Sequence, residues 1–176
     1  TAWRSCKSTP TPEPDSSTAI VISDTPTRGG QLLSSLRSEP RSFNRFVARD
    51  VPTELYSILT ASRLIRVNRA TMEVEPALAE KWTVSPDNLV YTLTLRDGVT
   101  WSDGQPFTSA DVLFSFQAVY DDKVNSVLAS SLKIDGKPLR VSAPDPRTVV
   151  VTFPHTFGPS IEMLDNLQLA PRHKYE

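Results

Sequence analysis

Two histidines and one cysteine are the side chains most able to do chemistry here, because imidazole and thiol groups bind metals and react near neutral pH. His155 and His173 both lie in a proline-interrupted C-terminal stretch, with no second ligand at metal-binding spacing. The single cysteine, Cys6, can form neither an internal disulfide nor a cysteine-rich zinc site. We therefore expect no metal site, no cofactor and no catalytic role for the histidines.

Paired carboxylates are the other candidates, since two of them can share general acid and base work when one has a perturbed pKa in a cleft. The spacing predicts a solvent-facing strand for Glu73 and Glu75 and a loop for Asp121 and Asp122. Phosphate-binding glycine loops, a nucleophile elbow and a zinc-protease helix are missing from the sequence, so it predicts a protein that is not an enzyme. A hydrolase would need a pocket with a perturbed acid or nucleophile, which no pattern suggests. The pairs are Glu73 with Glu75, Asp121 with Asp122, and Asp135 with Asp145.

Composition describes a soluble chain of one domain. Its 176 residues can bury a core, and a formal net charge of -1 indicates neither nucleic acid nor an anionic membrane surface as a partner. Fifteen prolines against six glycines predict short helices and frequent turns. No apolar run reaches the roughly 18 residues that a membrane span requires.

The N-terminal segment differs from the rest of the chain. Residues 1–29 are rich in proline, serine and threonine, with little apolar surface to offset the entropy of ordering, which predicts a disordered tether. Ala19–Ile22 is an apolar run that could form a strand. A cysteine near the start of such a tether is typical of a lipid-anchored exported protein, so Cys6 is either a lipid anchor or a bystander thiol.

An arginine-rich stretch follows the tether. Eight arginines stand against three acidic residues between positions 28 and 69. Four of the arginines recur every fourth residue, which on a helix would form a basic stripe, but Pro40 interrupts that helix. Nucleic-acid binding would also require exposed aromatic residues, so an anionic group on a small ligand or a solvated face is favoured. The four are Arg37, Arg41, Arg45 and Arg49.

The elements that must position any site are short. Thr108–Tyr120 is the clearest helix, because Thr108 and Asp111 have capping-box spacing and Phe107 and Val112 occupy the staple positions. Thr53–Ala61 has helical periodicity, with Leu55, Ile58 and Leu59 on one side, and Gln31–Leu36 has strand character. Two hairpins are indicated by alternating apolar residues on either side of turn-forming residues. They join Trp82–Val84 to Leu89–Leu95, and Leu139–Ser142 to Thr148–Phe153.

Hairpins separated by unrelated helices predict an α+β fold, with short β-hairpins, a mixed sheet and a few short helices, and not a doubly wound parallel sheet.

Several motifs agree in order with one known family. Ser38–Asn44 resembles its opening motif, and Pro76–Trp82 follows at the expected place. Tyr91–Val99 and Trp101–Val112 are similar to its most specific stretch, and Asp145–Phe153 to a later hairpin. Over about residues 30 to 171 the chain therefore resembles the N-terminal part of the family 5 extracellular solute-binding proteins, the peptide-, oligopeptide- and nickel-type binding components of ABC importers.

This resemblance implies a fold and a function. Residues 30–176 would be the N-terminal lobe of a clamshell (type II) periplasmic binding protein, without the second lobe of the much longer family members. The protein would capture a small, peptide-like solute in the periplasm or cell envelope and deliver it to the permease subunits of an ABC importer. It would act as a monomer through binding and domain closure, and would touch the membrane only through a lipid anchor. The alternative is a standalone protein-interaction module that uses the same lobe.

Two ligand-facing segments are also implied by the resemblance. In peptide-binding relatives an extended segment after the opening motif pairs with the ligand backbone, and it corresponds here to Arg49, Asp50 and Val51. The loop after the long helix supplies a second set: Ser126, Val127 and Leu128. Some peptide binders carry a tyrosine where Leu128 stands.

Overall fold

A computed structural model of the protein describes residues 29, 31, 33 and 35–176. Residues 1–28 of the predicted tether (residues 1–29), with Cys6 and the proposed strand at Ala19–Ile22, lie outside the described residues. Gly29 has a positive φ of 106°, and residues 31, 33, 35 and 36 are not in a strand. The strand expected for Gln31–Leu36 is therefore wrong at these positions.

A four-stranded antiparallel sheet forms the frame of the unit spanning residues 36–176. The order of its strands is β3 (Ala79–Val84), β4 (Val90–Leu95), β8 (Thr148–Thr152) and β7 (Arg140–Asp145). Leu93 pairs with Trp82 on one side and with Val149 on the other. Both predicted hairpins are confirmed, since each supplies two neighbouring strands of this sheet.

Shorter elements surround the sheet. Two small antiparallel ribbons, β1-β2 and β5-β6, complete the strand pairing. The helices are α1 (Val51–Thr60), α2 (Ser109–Tyr120), α3 (Arg172–Tyr175) and the 3₁₀ helices Ala129–Leu132 and Ile161–Asn166, and the ribbon strands are β1 (Ile65–Val67), β2 (Val74–Pro76), β5 (Lys133–Ile134) and β6 (Lys137–Pro138). The α+β class is confirmed, although every pair of strands among the described residues is antiparallel, where a mixed sheet was expected.

The core lies between α2 and one face of the sheet. Strand residues point alternately to opposite faces, so Leu93 and Leu95 of β4 and Val149 and Val151 of β8 are buried together. Helix α2 places Val112, Phe116 and Val119 in the same cluster. Burying such side chains stabilises the fold by about 1.5–3 kcal/mol each before entropy is counted.

Helix α2 begins as its sequence predicts. Thr108 is the N-cap, and its amide donates a hydrogen bond to Asp111 Oδ2 at 2.9 Å. Asp111 is buried, and its other oxygen accepts a hydrogen bond from the Arg172 amide at 2.9 Å. One turn later, Ser115 Oγ donates to the Asp111 carbonyl at 2.7 Å and accepts from the Ala170 amide at 2.9 Å. The helix therefore holds the C-terminal segment by two polar side chains.

Helix α1 starts two residues earlier than predicted and buries its polar side. Thr53 is fully buried and Ser57 nearly so, and their hydroxyls donate to Ser42 O at 2.8 Å and Gln168 Oε1 at 3.2 Å. Ile58, on the apolar side that the periodicity picked out, is exposed. The helix docks through hydrogen bonds and leaves an apolar side facing outward.

The arginine repeat does not form a stripe, since the segment from Arg37 to Arg49 contains only bends and turns. This agrees with the interruption expected at Pro40. Among residues 35–176, no helix is long and apolar enough to cross a membrane.

The Gly104 turn is a sensitive backbone position. Its φ of 83° lies in the left-handed region, and its amide donates to Trp101 O at 2.9 Å. A Cβ here would meet no atom within 4 Å, so the cost of Gly104→Ala should come from the backbone alone. We expect the free energy of unfolding to fall by about 1 kcal/mol, measured by urea denaturation.

Gly158→Ala is the matched control for this turn. Gly158 also has open space around its Cα, but its φ lies outside the left-handed region. Gly158→Ala should change the free energy of unfolding by no more than about 0.5 kcal/mol. Equal losses in the two variants would refute the backbone explanation.

Candidate functional site

The candidate site is assembled from two segments that lie far apart in the sequence. The Phe46 carbonyl accepts two hydrogen bonds from the loop after α2, one from Ser126 Oγ and one from the Val127 amide, both at 2.9 Å. Phe46 itself is buried, with its amide bonded to Asn44 Oδ1 at 2.9 Å. The loop that carries Ser126, Val127 and Leu128 is therefore bonded to Phe46, three residues before the predicted segment Arg49–Val51.

An open depression of about 450 Å³ lies where these segments meet. Arg49 and Val127 are the two sequence-predicted residues on its wall. We call it the Arg49 depression. Its lining consists of Arg41, Ser42, Val47, Ala48, Arg49 and Val127.

Asp50 stabilises the start of helix α1 beside this depression. It is the N-cap of α1, and its carboxylate accepts a hydrogen bond from the Thr53 amide at 3.1 Å. The Thr53 hydroxyl lies 2.8 Å from both Asp50 Oδ2 and the Ser42 carbonyl, so these two acceptors share its single proton. Burial alone would raise the pKa of Asp50, but these hydrogen bonds and one from the Arg41 amide outweigh it and lower the pKa. The carboxylate thus stays ionised and fixes the end of the Arg49 segment to the start of the helix.

The remaining predicted residues fall into two groups. Val51 is the first residue of α1 and its side chain is 77% exposed, next to Asp50. Ser126 is buried, and its hydroxyl accepts a hydrogen bond from the Leu128 amide at 3.2 Å while donating to Phe46. Leu128 is only 2% exposed and packs in the core. In this lobe the last two residues support the surface from below and do not line it.

The sequence does not indicate three residues of the depression, Ser42, Val47 and Ala48, and indicates Arg41 only as a member of the arginine repeat. Arg41 and Ser42 belong to the opening motif, whose resemblance to the family indicates no contact with a ligand. Val47 and Ala48 precede the predicted segment and carry no distinctive side-chain signal. A hydrogen bond from the buried Thr53 hydroxyl to Ser42 O at 2.8 Å brings that motif beside α1, a contact with no local sequence signature.

The chemistry of the depression is that of recognition by main-chain groups and positive charge. Among residues 35–176, neither Arg41 nor Arg49 forms an ion pair, whereas Arg45 is paired with Glu54 at 3.8 Å. Arg49 lies outside any helix or strand, and its N–H and C=O groups make no backbone hydrogen bond among residues 35–176. These groups can therefore pair with an extended ligand. The arginine side chains can attract its anionic groups.

The histidines lie away from this depression. His155 Nε2 is 2.8 Å from Asp135 Oδ2, and His173 Nε2 is 2.8 Å from Asp103 Oδ2. A hydrogen bond to the Thr156 carbonyl and the Asp135 carboxylate raise the pKa of His155. Each ring therefore connects its own segment to a surface turn through an aspartate.

The paired carboxylates serve local structure. Glu75 pairs with Arg66 across the β1-β2 ribbon. Asp121 accepts a hydrogen bond from the Lys123 amide at 2.8 Å, and Asp145 from the Arg147 amide at 2.9 Å. These contacts are those of turns and ribbon edges, where charges remain solvated.

Comparison with known protein families gives a match over residues 73–176 to the bacterial extracellular solute-binding proteins, family 5 Middle. A Deinococcus radiodurans protein named as a probable ABC transporter-binding protein is 31% identical over 148 residues, which is 84% of this chain and 25% of that protein. The dipeptide-binding protein DppE of Bacillus subtilis is 36% identical over 93 residues, covering 46% of this chain and 17% of DppE.

Solved structures agree in fold. The substrate-binding protein CtaP of Listeria monocytogenes superposes with a TM-score of 0.72 and 32% identity, over 80% of this chain and 28% of CtaP. Haemophilus influenzae OppA, solved in complex with the peptide RPPGFSPFR, gives a TM-score of 0.68 and 26% identity over 77% of this chain and 29% of OppA. The chain thus spans about a quarter of the length of these longer relatives.

Proposed function

The chain belongs to the family 5 bacterial extracellular solute-binding proteins, and from this premise we propose that it serves as substrate-binding component of an ABC importer. The observation that carries the proposal is the Arg49 depression, where the segment after the opening motif is bonded to the loop after α2. The chain would supply one wall of a ligand cleft. It would act by binding and closure without covalent chemistry.

The solute proposed is a short peptide. Helix α1 leaves the Val51 amide without an acceptor among residues 35–176, because the first amides of a helix have no intrahelical partner. Asp50, immediately before it, has an extended backbone with φ -101° and ψ 158°. Main-chain pairing of this kind tolerates varied side chains and suits a peptide backbone. Relatives include a dipeptide-binding protein and a structure with a bound nonapeptide, which supports the same class.

Partners and location follow from this role as parts of the proposal. The partners would be the peptide and the transmembrane subunits of the permease. The protein would work as a monomer in the periplasm or cell envelope. Cys6 would carry a lipid that holds it at the membrane, and mass spectrometry of the natural protein would detect the added acyl chains.

A titration of the 176-residue chain with short peptides tests the function. Nitrogen-15 amide spectra detect weak binding residue by residue, so tri- and tetrapeptides, an oligosaccharide and a nickel chelate can be compared. We expect peptides to shift the amides lining the Arg49 depression and those of residues 126–128. Shifts confined to another surface, or a stronger response to the sugar or chelate, would overturn the peptide assignment.

A proline at position 51 should weaken peptide binding specifically. Proline suits the first residue of a helix, and Asp50 already has the extended backbone that a following proline requires (φ -101°, ψ 158°). Val51→Pro therefore removes one N–H and leaves the helix intact. We expect the dissociation constant for a tripeptide to rise about tenfold, the value of one lost hydrogen bond, as measured by the same titration.

Val51→Ala is the matched control, because it removes most of an exposed side chain but keeps the N–H. Its dissociation constant should change less than about twofold. Equal weakening by both variants would mean that the side chain, and not the amide, contacts the peptide.

A further inference from the structure

A second cavity, of about 580 Å³, lies beyond the C-terminal end of α1 and shares no lining residue with the Arg49 depression. We call it the Asp165 cavity. Its floor is formed by Asp165, from the 3₁₀ helix Ile161–Asn166, and by Arg63, which precedes β1. Arg69, in the turn between β1 and β2, stands at the rim.

The floor contains more positive charge than its carboxylate can neutralise. Arg63 Nη1 lies 2.9 Å from Asp165 Oδ1, and Arg69 Nη2 lies 3.7 Å from Asp165 Oδ2. The third arginine of this wall, Arg66, is already paired with Glu75. Two guanidinium groups thus face one carboxylate, which leaves an excess of one positive charge.

The buried carboxylate serves to hold the arginines. The Asp165 side chain is 8% exposed, and its Oδ1 makes no well-aligned hydrogen bond within residues 35–176 despite the short approach of Arg63. A buried charge is tolerated when an opposite charge compensates it, so Asp165 keeps Arg63 in place. Arg69, with 80% of its side chain exposed, forms no other ion pair among residues 35–176.

The cavity wall beside these charges is apolar. Ile58 is 52% exposed, and Val67 and Leu78 are partly buried beside the core. An anion attached to an apolar body would contact both the wall and the guanidinium groups. Guanidinium matches the planar, two-oxygen geometry of a carboxylate.

We propose that the Asp165 cavity binds a small organic carboxylate whose short apolar chain lies against Ile58, Val67 and Leu78 while its oxygens contact Arg63 and Arg69. This site is separate from the proposed peptide surface. It does not depend on the transport function, because no residue is shared.

The test compares hexanoate with hexanol in amide and arginine side-chain spectra of the 176-residue chain. The two probes have the same apolar chain and differ in charge. Hexanoate should shift the signals of Arg63 and Arg69 and bind at least about tenfold more tightly than hexanol, as expected for a charge-assisted hydrogen bond. Equal binding of the two probes, or no shift at these arginines, would overturn the proposal.

Arg69→Gln should weaken hexanoate binding about tenfold. Because the Arg69 side chain is largely exposed, its loss should leave the fold intact, which near-UV circular dichroism checks. Arg140→Gln, on the exposed start of β7, removes the same charge elsewhere and should change binding less than about twofold. Equal loss in both variants would show a general effect of net charge and refute the site.

The peptide titration separates this proposal from the proposed function. Val51→Pro should leave hexanoate binding unchanged. Hexanoate binding without any peptide response would refute only the peptide proposal, and the reverse result would refute only the carboxylate site.

Discussion

Replacing Asp111 with alanine is expected to lower the free energy of unfolding by about 3 kcal/mol. The carboxylate accepts hydrogen bonds from the Thr108 amide and from the Arg172 amide, both at 2.9 Å. Alanine would leave two amides without acceptors in a site that is 4% exposed at Asp111. Bonds to a charged acceptor contribute about 1.5–3 kcal/mol each, and they are not fully additive.

Two variants and one measurement test this expectation. Urea denaturation followed by tryptophan fluorescence gives the change in stability. Asp111→Asn retains one acceptor oxygen and should lose about half as much. Asp122→Ala removes an acid from the exposed loop after α2 and should cost less than about 0.5 kcal/mol. A loss below about 1 kcal/mol in Asp111→Ala would contradict the assigned bridging role.

The features predicted well are those whose signals are local. The capping spacing of Thr108 and Asp111 identified the start of α2 because the hydrogen bond it predicts spans three residues. Alternating apolar residues identified β4 and β8 because every second side chain of a strand points to the same face. These patterns decide backbone conformation at short range, and the structure agrees with them.

The features predicted poorly depend on distant partners. The strand expected at Gln31–Leu36 finds no pairing strand among the described residues. Helix α1 buries Thr53 and Ser57, because acceptors on Ser42 and Gln168 lie across the fold. The spacing of apolar residues predicts which side of a helix is buried only when that side is apolar. It cannot indicate that a threonine will be fully buried.

The candidate site shows the same division. Arg49 and Val127 were placed by resemblance to a family, and the structure brings both to one depression. The hydrogen bond from Ser126 to the Phe46 carbonyl joins residues 80 positions apart. A hydrogen bond between residues so far apart cannot be predicted from a single sequence. The resemblance therefore placed Ser126 and Leu128 near a ligand, but it did not indicate that both are buried under the depression.

Ser126→Ala is expected to cost about 2 kcal/mol of stability and to weaken peptide binding together. The hydroxyl donates to Phe46 O at 2.9 Å and accepts from the Leu128 amide at 3.2 Å, in a site that is 9% exposed. Alanine leaves the Leu128 amide unsatisfied. The Phe46 carbonyl keeps only the bond from the Val127 amide.

Weaker binding should follow because Phe46 anchors the segment that carries Val47, Ala48 and Arg49. With one anchor lost, that segment must be ordered when the peptide binds, and ordering costs about 1–2 kcal/mol per residue. We expect the dissociation constant to rise about fivefold or more in the peptide titration. Ser130→Ala, an exposed serine in the neighbouring 3₁₀ helix, is the matched control and should alter neither quantity. A Ser126→Ala variant that loses stability but binds peptide as before would place the peptide away from the Arg49 depression, because a surface whose support is removed cannot remain preorganised.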